Sequence, residues 1–174
     1  MFKFKTSFFR LLSFVPSLLL LYMILGFSSQ DAPTSSSLSF EISVCIVTVC
    51  SPDLPTPPSE DTIIQRAELI HTFVRKTAHM TEYFLLALSL QLPLYCYLKQ
   101  KLSTKIRFII GFFMTVIIAI IDESYQTTIP GRSGNLLDVC IDSIGGLLAI
   151  IFLIILCYIK NQKMLKHKKE ERIS

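Results

Sequence analysis

Residues 136–159 read Leu-Leu-Asp-Val-Cys-Ile-Asp-Ser-Ile-Gly-Gly-Leu-Leu-Ala-Ile-Ile-Phe-Leu-Ile-Ile-Leu-Cys-Tyr-Ile, an apolar run whose only charges, Asp138 and Asp142, sit near its start. As a helix rising ~1.5 Å per residue it would be about 36 Å long, enough to cross a hydrocarbon core of about 30 Å. The chain is therefore read with the bilayer as solvent. Its 174 residues are 51% hydrophobic with a mean hydropathy of +0.54, well above ordinary soluble domains.

Three further apolar runs match in length, at about 9–27, 78–98 and 106–126. The first follows Lys3, Lys5 and Arg10 and is longer than the roughly 7–15 residues of a cleaved signal core, so it reads as a retained anchor. Pro93 interrupts the second and predicts a kink near its inner end. The third reaches full span length only if Asp122–Gln126 continues it. The fold class that follows is an all-α membrane protein, a bundle of four transmembrane helices forming one domain over 1–174. There is no internal repeat and no glycine-rich phosphate loop.

Charge sets the orientation. Three Lys and Arg precede the first span, four (Lys99, Lys101, Lys105, Arg107) separate the second from the third, and six lie from Lys160 onward. The remaining loops hold Arg66, Arg75, Lys76 and Arg132. Thirteen cations against four predict that both termini are cytoplasmic, because positive loops stay inside. The basic tail, 160–174, is a topology signal. A net charge of +4 distributed this way points to orientation and not to a nucleic-acid partner.

Between Asp31 and Pro58 the composition shifts to Ser, Thr and Pro, which predicts an extracytoplasmic loop. Within it, Phe40–Cys50 fits a strand alternation and a short helix equally well. Ser59 is a plausible N-cap, and Ile63, Ile64, Ala67, Ile70 and Val74 have the spacing of an amphipathic helix that runs into the second span. The five cysteines form no Cys-x-x-Cys pair. Only Cys45 and Cys50 fall where an oxidising compartment would permit a disulfide.

The remaining polar residues gather at the outer ends of the spans. At about 100° per residue, Arg75, His79 and Glu82 share one stripe, with Lys76 and Tyr83 beside it. Asp122 and Gln126 share a face at the end of the third span, next to Glu123. Thr-Ile-Pro-Gly-Arg-Ser-Gly-Asn (128–135) then reads as a tight reversal displaying Arg132 and keeping the third and fourth spans antiparallel. On the fourth span Asp138, Asp142, Gly145 and Ala149 form another stripe, with Asp142 about 10 Å inside. A carboxylate at that depth costs about 2.5–3.5 kcal/mol unless it faces protein, water or a cation. Asp142 should therefore point inward, with Arg75, Arg132 and His79 as counter-charges. Gly145 and Ala149 should let a neighbouring helix approach closely.

Taken together, Phe-Ser-Ser-Gln (27–30), Arg-Lys-x-x-His-x-x-Glu-Tyr (75–83), Asp-Glu-x-x-Gln (122–126), Pro-Gly-Arg (130–132) and Asp-x-x-x-Asp-x-x-Gly (138–145) resemble the VanZ-like family. These are small bacterial membrane proteins whose namesake is linked to teicoplanin resistance. The resemblance covers about residues 20–155. It implies a four-helix protein of the bacterial cytoplasmic membrane and carries over Arg75, Lys76, His79, Glu82, Asp122, Glu123, Gln126, Arg132, Asp138 and Asp142 as site positions. Met80 and Ser124 depart from it, standing where an aromatic residue and a His are more usual, and the missing second His weakens a metal site. No metal or cofactor is implied.

Three functions compete on these residues. The first is binding, by a protein partnered with membrane lipids, of an amphiphile such as a lipopeptide or glycopeptide antibiotic or a lipid-linked wall precursor, since mixed cations and carboxylates suit a phosphate or zwitterion. The second is an enzyme acting on a phosphorylated or acylated lipid. In it His79 would be the acid or base, Glu82 or Asp122 its orienter, and Arg75 with Arg132 an anion clamp. The third is ion-coupled transport, for which four helices are few.

Overall fold

The computed structural model of the chain describes residues 8–50 and 59–171, and it contains no strand among them. The elements are α1 (Val15–Ser28), α2 (Ala32–Val49), α3 (Glu60–Leu98), α4 (Thr104–Gln126) and α5 (Leu136–Glu171). A short helical stretch at 8–12 leads into α1, so Phe8–Ser28 acts as one apolar segment. Side-chain oxygens start the later helices by accepting first-turn N–H bonds. Asp31 accepts from Thr34, Ser59 from Thr62, Ser103 from Ile106 and Asn135 from Leu137. The amphipathic helix expected after Ser59 does run without a break into 78–98, and it continues through the buried Pro93.

Helix α3 is the centre of the bundle. At 39 residues it is about 58 Å long and packs against α1, α2, α4 and α5. Tyr83, Leu86, Ala87, Leu90 and Leu94, all on its second half, are buried, with Ile24 of α1 and Ala119 of α4 packed among them. Helices α3 and α5 approach closely. A Cβ at Gly145 would overlap the Met80 backbone carbonyl, and Ala149 on the same stripe is fully buried. The small residues therefore do what their spacing predicts.

Four helices are long and apolar enough to cross a membrane: Phe8–Ser28, Ala32–Val49, Thr104–Gln126 and Leu136–His167. They differ from the sequence expectation in one member. The stretch 78–98, buried on one face and exposed at Leu85, Leu92 and Tyr95, belongs to a helix whose first half carries Glu60, Asp61, Arg66, Glu68, Arg75 and Lys76, and by length and composition that helix is not among the four. Ala32–Val49 is among them, where a loop was expected. The serines and threonines that suggested a loop turn their hydroxyls onto carbonyls of the preceding turn. Ser39 donates to Ser36 O (3.0 Å), Ser43 to Ser39 O (2.7 Å) and Thr48 to Val44 O (2.8 Å). Satisfied within the helix, Ser39 and Ser43 are buried, and Pro33 sits harmlessly in the first turn. Cys45 and Cys50, both exposed on this element, are free thiols.

Because residues 50–59 join α2 to α3 while Ser35–Ile42 lie beside Val74–Glu82, the two helices form an antiparallel pair. Contacts also define the two ends of the bundle. At one, Phe14 of the first segment stacks at 5.6 Å on Tyr97 near the end of α3, and Arg10, Lys99 and Arg107 lie over the Tyr97 and Tyr95 rings. At the other, the end of α1, the start of α2, the middle of α3, the end of α4 and the start of α5 converge. The outward faces of α1, α4 and α5 are lined with exposed leucines and isoleucines such as Leu18, Ile117, Leu147 and Ile151. Apolar surface this extensive fits contact with membrane lipid.

Candidate functional site

The lower layer of the convergent end is built around Asp122, which is 1% exposed. Its Oδ2 accepts three hydrogen bonds, from Ser28 Oγ (2.8 Å), Tyr83 OH (3.1 Å) and Gln126 Nε2 (3.2 Å). Gln126 also donates to Ser28 Oγ at 3.1 Å. One carboxylate oxygen thus ties α1, α3 and α4 together, while Oδ1 is buried without a partner. The i, i+4 relation of Asp122 and Gln126 puts both on the inner face, as their spacing predicts.

Above this layer the chain reverses tightly. Arg132 N donates to Ile129 O at 3.1 Å, Pro130 and Gly131 are the central pair, and Gly131 has φ +77°. That is a type II turn, whose third position favours glycine because a Cβ would be strained there. The turn aims Arg132 across to the last turn of α1, where Nη2 donates to Phe27 O at 3.2 Å. Glu123 Oε1 accepts from Asn135 N at 2.6 Å, fastening the end of α4 to the cap of α5. Burial, and then the nearby charge of Arg75, lowers the Arg132 guanidinium pKa from its ordinary value.

Between these elements lies a cleft of 340 Å³. Arg75, Lys76 and His79 of α3 form one wall, Glu123 and Gln126 of α4 a second, and Arg132, Asp138 and Asp142 contribute to a third. Lys76 Nζ pairs with Asp138 Oδ1 at 3.2 Å, and His79 Nδ1 lies 3.4 Å from Glu82 Oε2. Asp142, 3% exposed, lines the cleft with Oδ1 unpartnered. Arg75 makes no hydrogen bond or ion pair with any described residue, and Arg132 has only the Phe27 carbonyl. Among the described residues, no group of three or more His, Cys, Asp or Glu is arranged to hold a metal ion.

All ten expected positions meet at this end, though not always in the expected pairs. Asp138 is held by Lys76, and neither arginine neutralises it or Asp142. Arg132 turns instead to the Phe27 carbonyl in the last turn of α1, which also accepts from Gln30 N at 3.3 Å. Of the two orienters weighed for His79, Glu82 is the neighbour, and Asp122 is occupied by its three donors. Ser28, Tyr83 and Asn135 were not among the expected site positions, although Tyr83 was noted beside the stripe. Ser28 and Tyr83 lay within quoted motifs, but a hydroxyl in an apolar helix has no charge to draw notice. Asn135 was visible as a polar residue immediately before an apolar run, the signature of an N-cap.

No curated protein and no solved structure matches the chain. The VanZ/LLP1 family matches residues 10–158, which include every helix end that forms the cleft. This integral membrane chain belongs to the VanZ/LLP1 family.

Proposed function

We propose that the protein binds the anionic head of an amphiphilic envelope ligand in the 340 Å³ cleft. One observation carries this reading. Arg75 and Arg132 face the same cleft with their donors largely unspent, while the nearby carboxylates of Glu123 and Asp138 are already engaged by Asn135 and Lys76. Two guanidiniums repel each other unless something negative lies between them, and a phosphate offers each a bidentate partner. The ligand class is a phosphate-bearing or zwitterionic amphiphile, such as a lipid-linked wall precursor or a glycopeptide or lipopeptide antibiotic. Binding it would tie the protein to envelope maintenance or to resistance.

In this reading the protein lies in the bacterial cytoplasmic membrane with both termini inside and the cleft facing outward. Support comes from Arg10, Lys99 and Arg107, which lie together at the end of the bundle opposite the cleft, as the positive-inside bias requires. The test is complementation of a deletion strain. Wild-type protein is expected to restore susceptibility to teicoplanin and other envelope-active compounds to the parental level, and an Arg75→Ala/Arg132→Ala protein inserted at equal abundance is expected to fail. Full restoration by the double variant would sink the proposal.

A second reading, a membrane-embedded enzyme acting on a phosphorylated or acylated lipid, is favoured by the His79–Glu82 pair. Glu82, facing His79 Nδ1, can fix the tautomer and orientation of the ring so that Nε2 acts as acid or base, while Arg75 and Arg132 steady an oxyanion. Turnover of a labelled lipid separates the two, because a binding protein would leave the lipid intact, whereas an enzyme would convert it and lose that conversion in His79→Gln.

A further inference from the structure

Beside the polar cleft runs a second depression of 180 Å³, of opposite character. Its walls are Phe27, Leu38, Ile42 and Val74, and small residues, Ser35, Ser39 and Ala78, lie between them. Leu38 and Ile42 remain 44% exposed although they sit against α3. Two residues belong to both depressions: Arg75 and His79 line the cleft on one side and the groove on the other.

Resting on the headgroup reading above, we propose that the groove between α2 and α3 holds one unbranched acyl chain of a phosphate amphiphile whose head lies in the cleft. Continuity through Arg75 and His79 supports this, since a ligand leaving the cleft past those side chains meets apolar walls at once. The width sets the number of chains. Packed helices stand about 8–10 Å apart, and a gap between them admits a single file of methylenes. Small side chains between the walls favour a smooth chain over a methyl-branched prenyl chain. The arrangement gives α2 a task, and it puts the His79–Glu82 pair at the junction of head and chain.

The experiment uses the full chain purified in a neutral detergent, with binding read by native mass spectrometry. The probes are inorganic phosphate, lysophosphatidic acids with eight- and sixteen-carbon chains, dipalmitoyl phosphatidic acid and farnesyl phosphate. The sixteen-carbon single-chain probe is expected to bind at least about tenfold tighter than its eight-carbon homologue and than the two-chain and prenyl probes, as further buried methylenes should produce. Leu38→Trp, at a half-exposed position where the fold tolerates bulk, is expected to erase the chain-length dependence, with Ile42→Trp as an independent second block. Arg75→Ala should weaken every probe alike. Chain-length dependence that survives both tryptophan variants would overturn the groove assignment and leave the headgroup reading standing. Equal binding of the two-chain or prenyl probe would overturn the single-acyl assignment. Absence of binding by every probe to the wild-type protein would remove the headgroup reading and this inference together.

Discussion

Arginine occurs at both ends of the bundle in different circumstances. Arg107, at the end bearing Tyr95 and Tyr97, is 7% exposed and held by two hydrogen bonds and a ring. Nη1 donates to Leu102 O at 2.7 Å, Nη2 to Thr104 Oγ1 at 2.9 Å, and the guanidinium lies 5.6 Å from the Tyr95 ring. Its partners are neutral and local, so it closes the turn between α3 and α4. At the opposite end, among the described residues, Arg75 has no partner and Arg132 has one carbonyl, although carboxylates line the same cleft. The same side chain is a structural tie where its donors are used and a candidate ligand where they are not.

The contrast has a structural floor, and removing that floor should have the largest effect. Asp122→Leu leaves Ser28, Tyr83 and Gln126 without their shared acceptor. At about 1–3 kcal/mol for each stranded group, the summed loss approaches the whole stability of a small domain. Asp122→Asn should be far milder, within about 1 kcal/mol. All three donors use Oδ2, so an amide oxygen placed there keeps every bond while its NH2 takes the unpartnered Oδ1 position. Thermal melts in detergent would show this, and an Asn variant as unstable as the Leu variant would mean that the negative charge itself holds the layer.

Next come the arginines themselves. Arg75→Ala and Arg132→Ala should each cost about 1.5–3 kcal/mol of phosphate-amphiphile affinity, roughly ten- to a hundredfold, with little change in melting temperature. Arg107→Ala should do the reverse, lowering the melt and leaving affinity intact. A loss of affinity in Arg107→Ala equal to that in Arg75→Ala would erase the distinction between the two ends.

The helix contacts offer a finer version of the same comparison. A Cβ at Gly145 meets the Met80 backbone carbonyl, which cannot move without moving α3, whereas one at Gly111 meets the end of the Gln91 side chain, which can swing away. Gly145→Ala should therefore lose about 1–3 kcal/mol to overpacking. Gly111→Ala should be near neutral, since helix propensity returns up to about 1 kcal/mol. Equal melts for the two would show that α3 and α5 can separate without penalty.

The sequence made much of this legible because hydrocarbon penalises charge so heavily that Asp122 and Asp142 had to turn inward, at the same end of the bundle as Arg132. Length and apolarity located α1, α4 and α5, and the reversal at Pro130–Gly131 was readable from turn chemistry. What escaped was the choice among partners of similar cost. Whether Asp138 takes Lys76 or Arg132 depends on a few ångströms of helix rotation, which periodicity does not resolve. Helix α2 escaped for a different reason. Its hydroxyls lower its apparent hydropathy while being satisfied within the helix, so composition signalled a loop and hydrogen bonding made a helix.

The smallest expected effect concerns the start of α2, at the edge of the cleft where Ala32 forms part of the lining. Asp31 accepts from Thr34 N at 3.1 Å, and hydrogen bonds from Thr34 hold its carboxyl below the ordinary carboxylate range. A depressed folded-state pKa contributes stability that is present above the unfolded value of about 3.9 and is lost as pH falls through the folded value. Acidification from neutrality should therefore leave the α2 cap intact until below that unfolded value and then release it. Hydrogen exchange of the Thr34 and Ser35 amides would report the loosening, and Asp31→Asn, which keeps an acceptor without titrating, should flatten the response. Because Asp31 also lies within electrostatic reach of Arg132, an acid-induced change in cleft binding that persists in Asp31→Asn would assign it to the cleft carboxylates and leave the cap with a purely structural role.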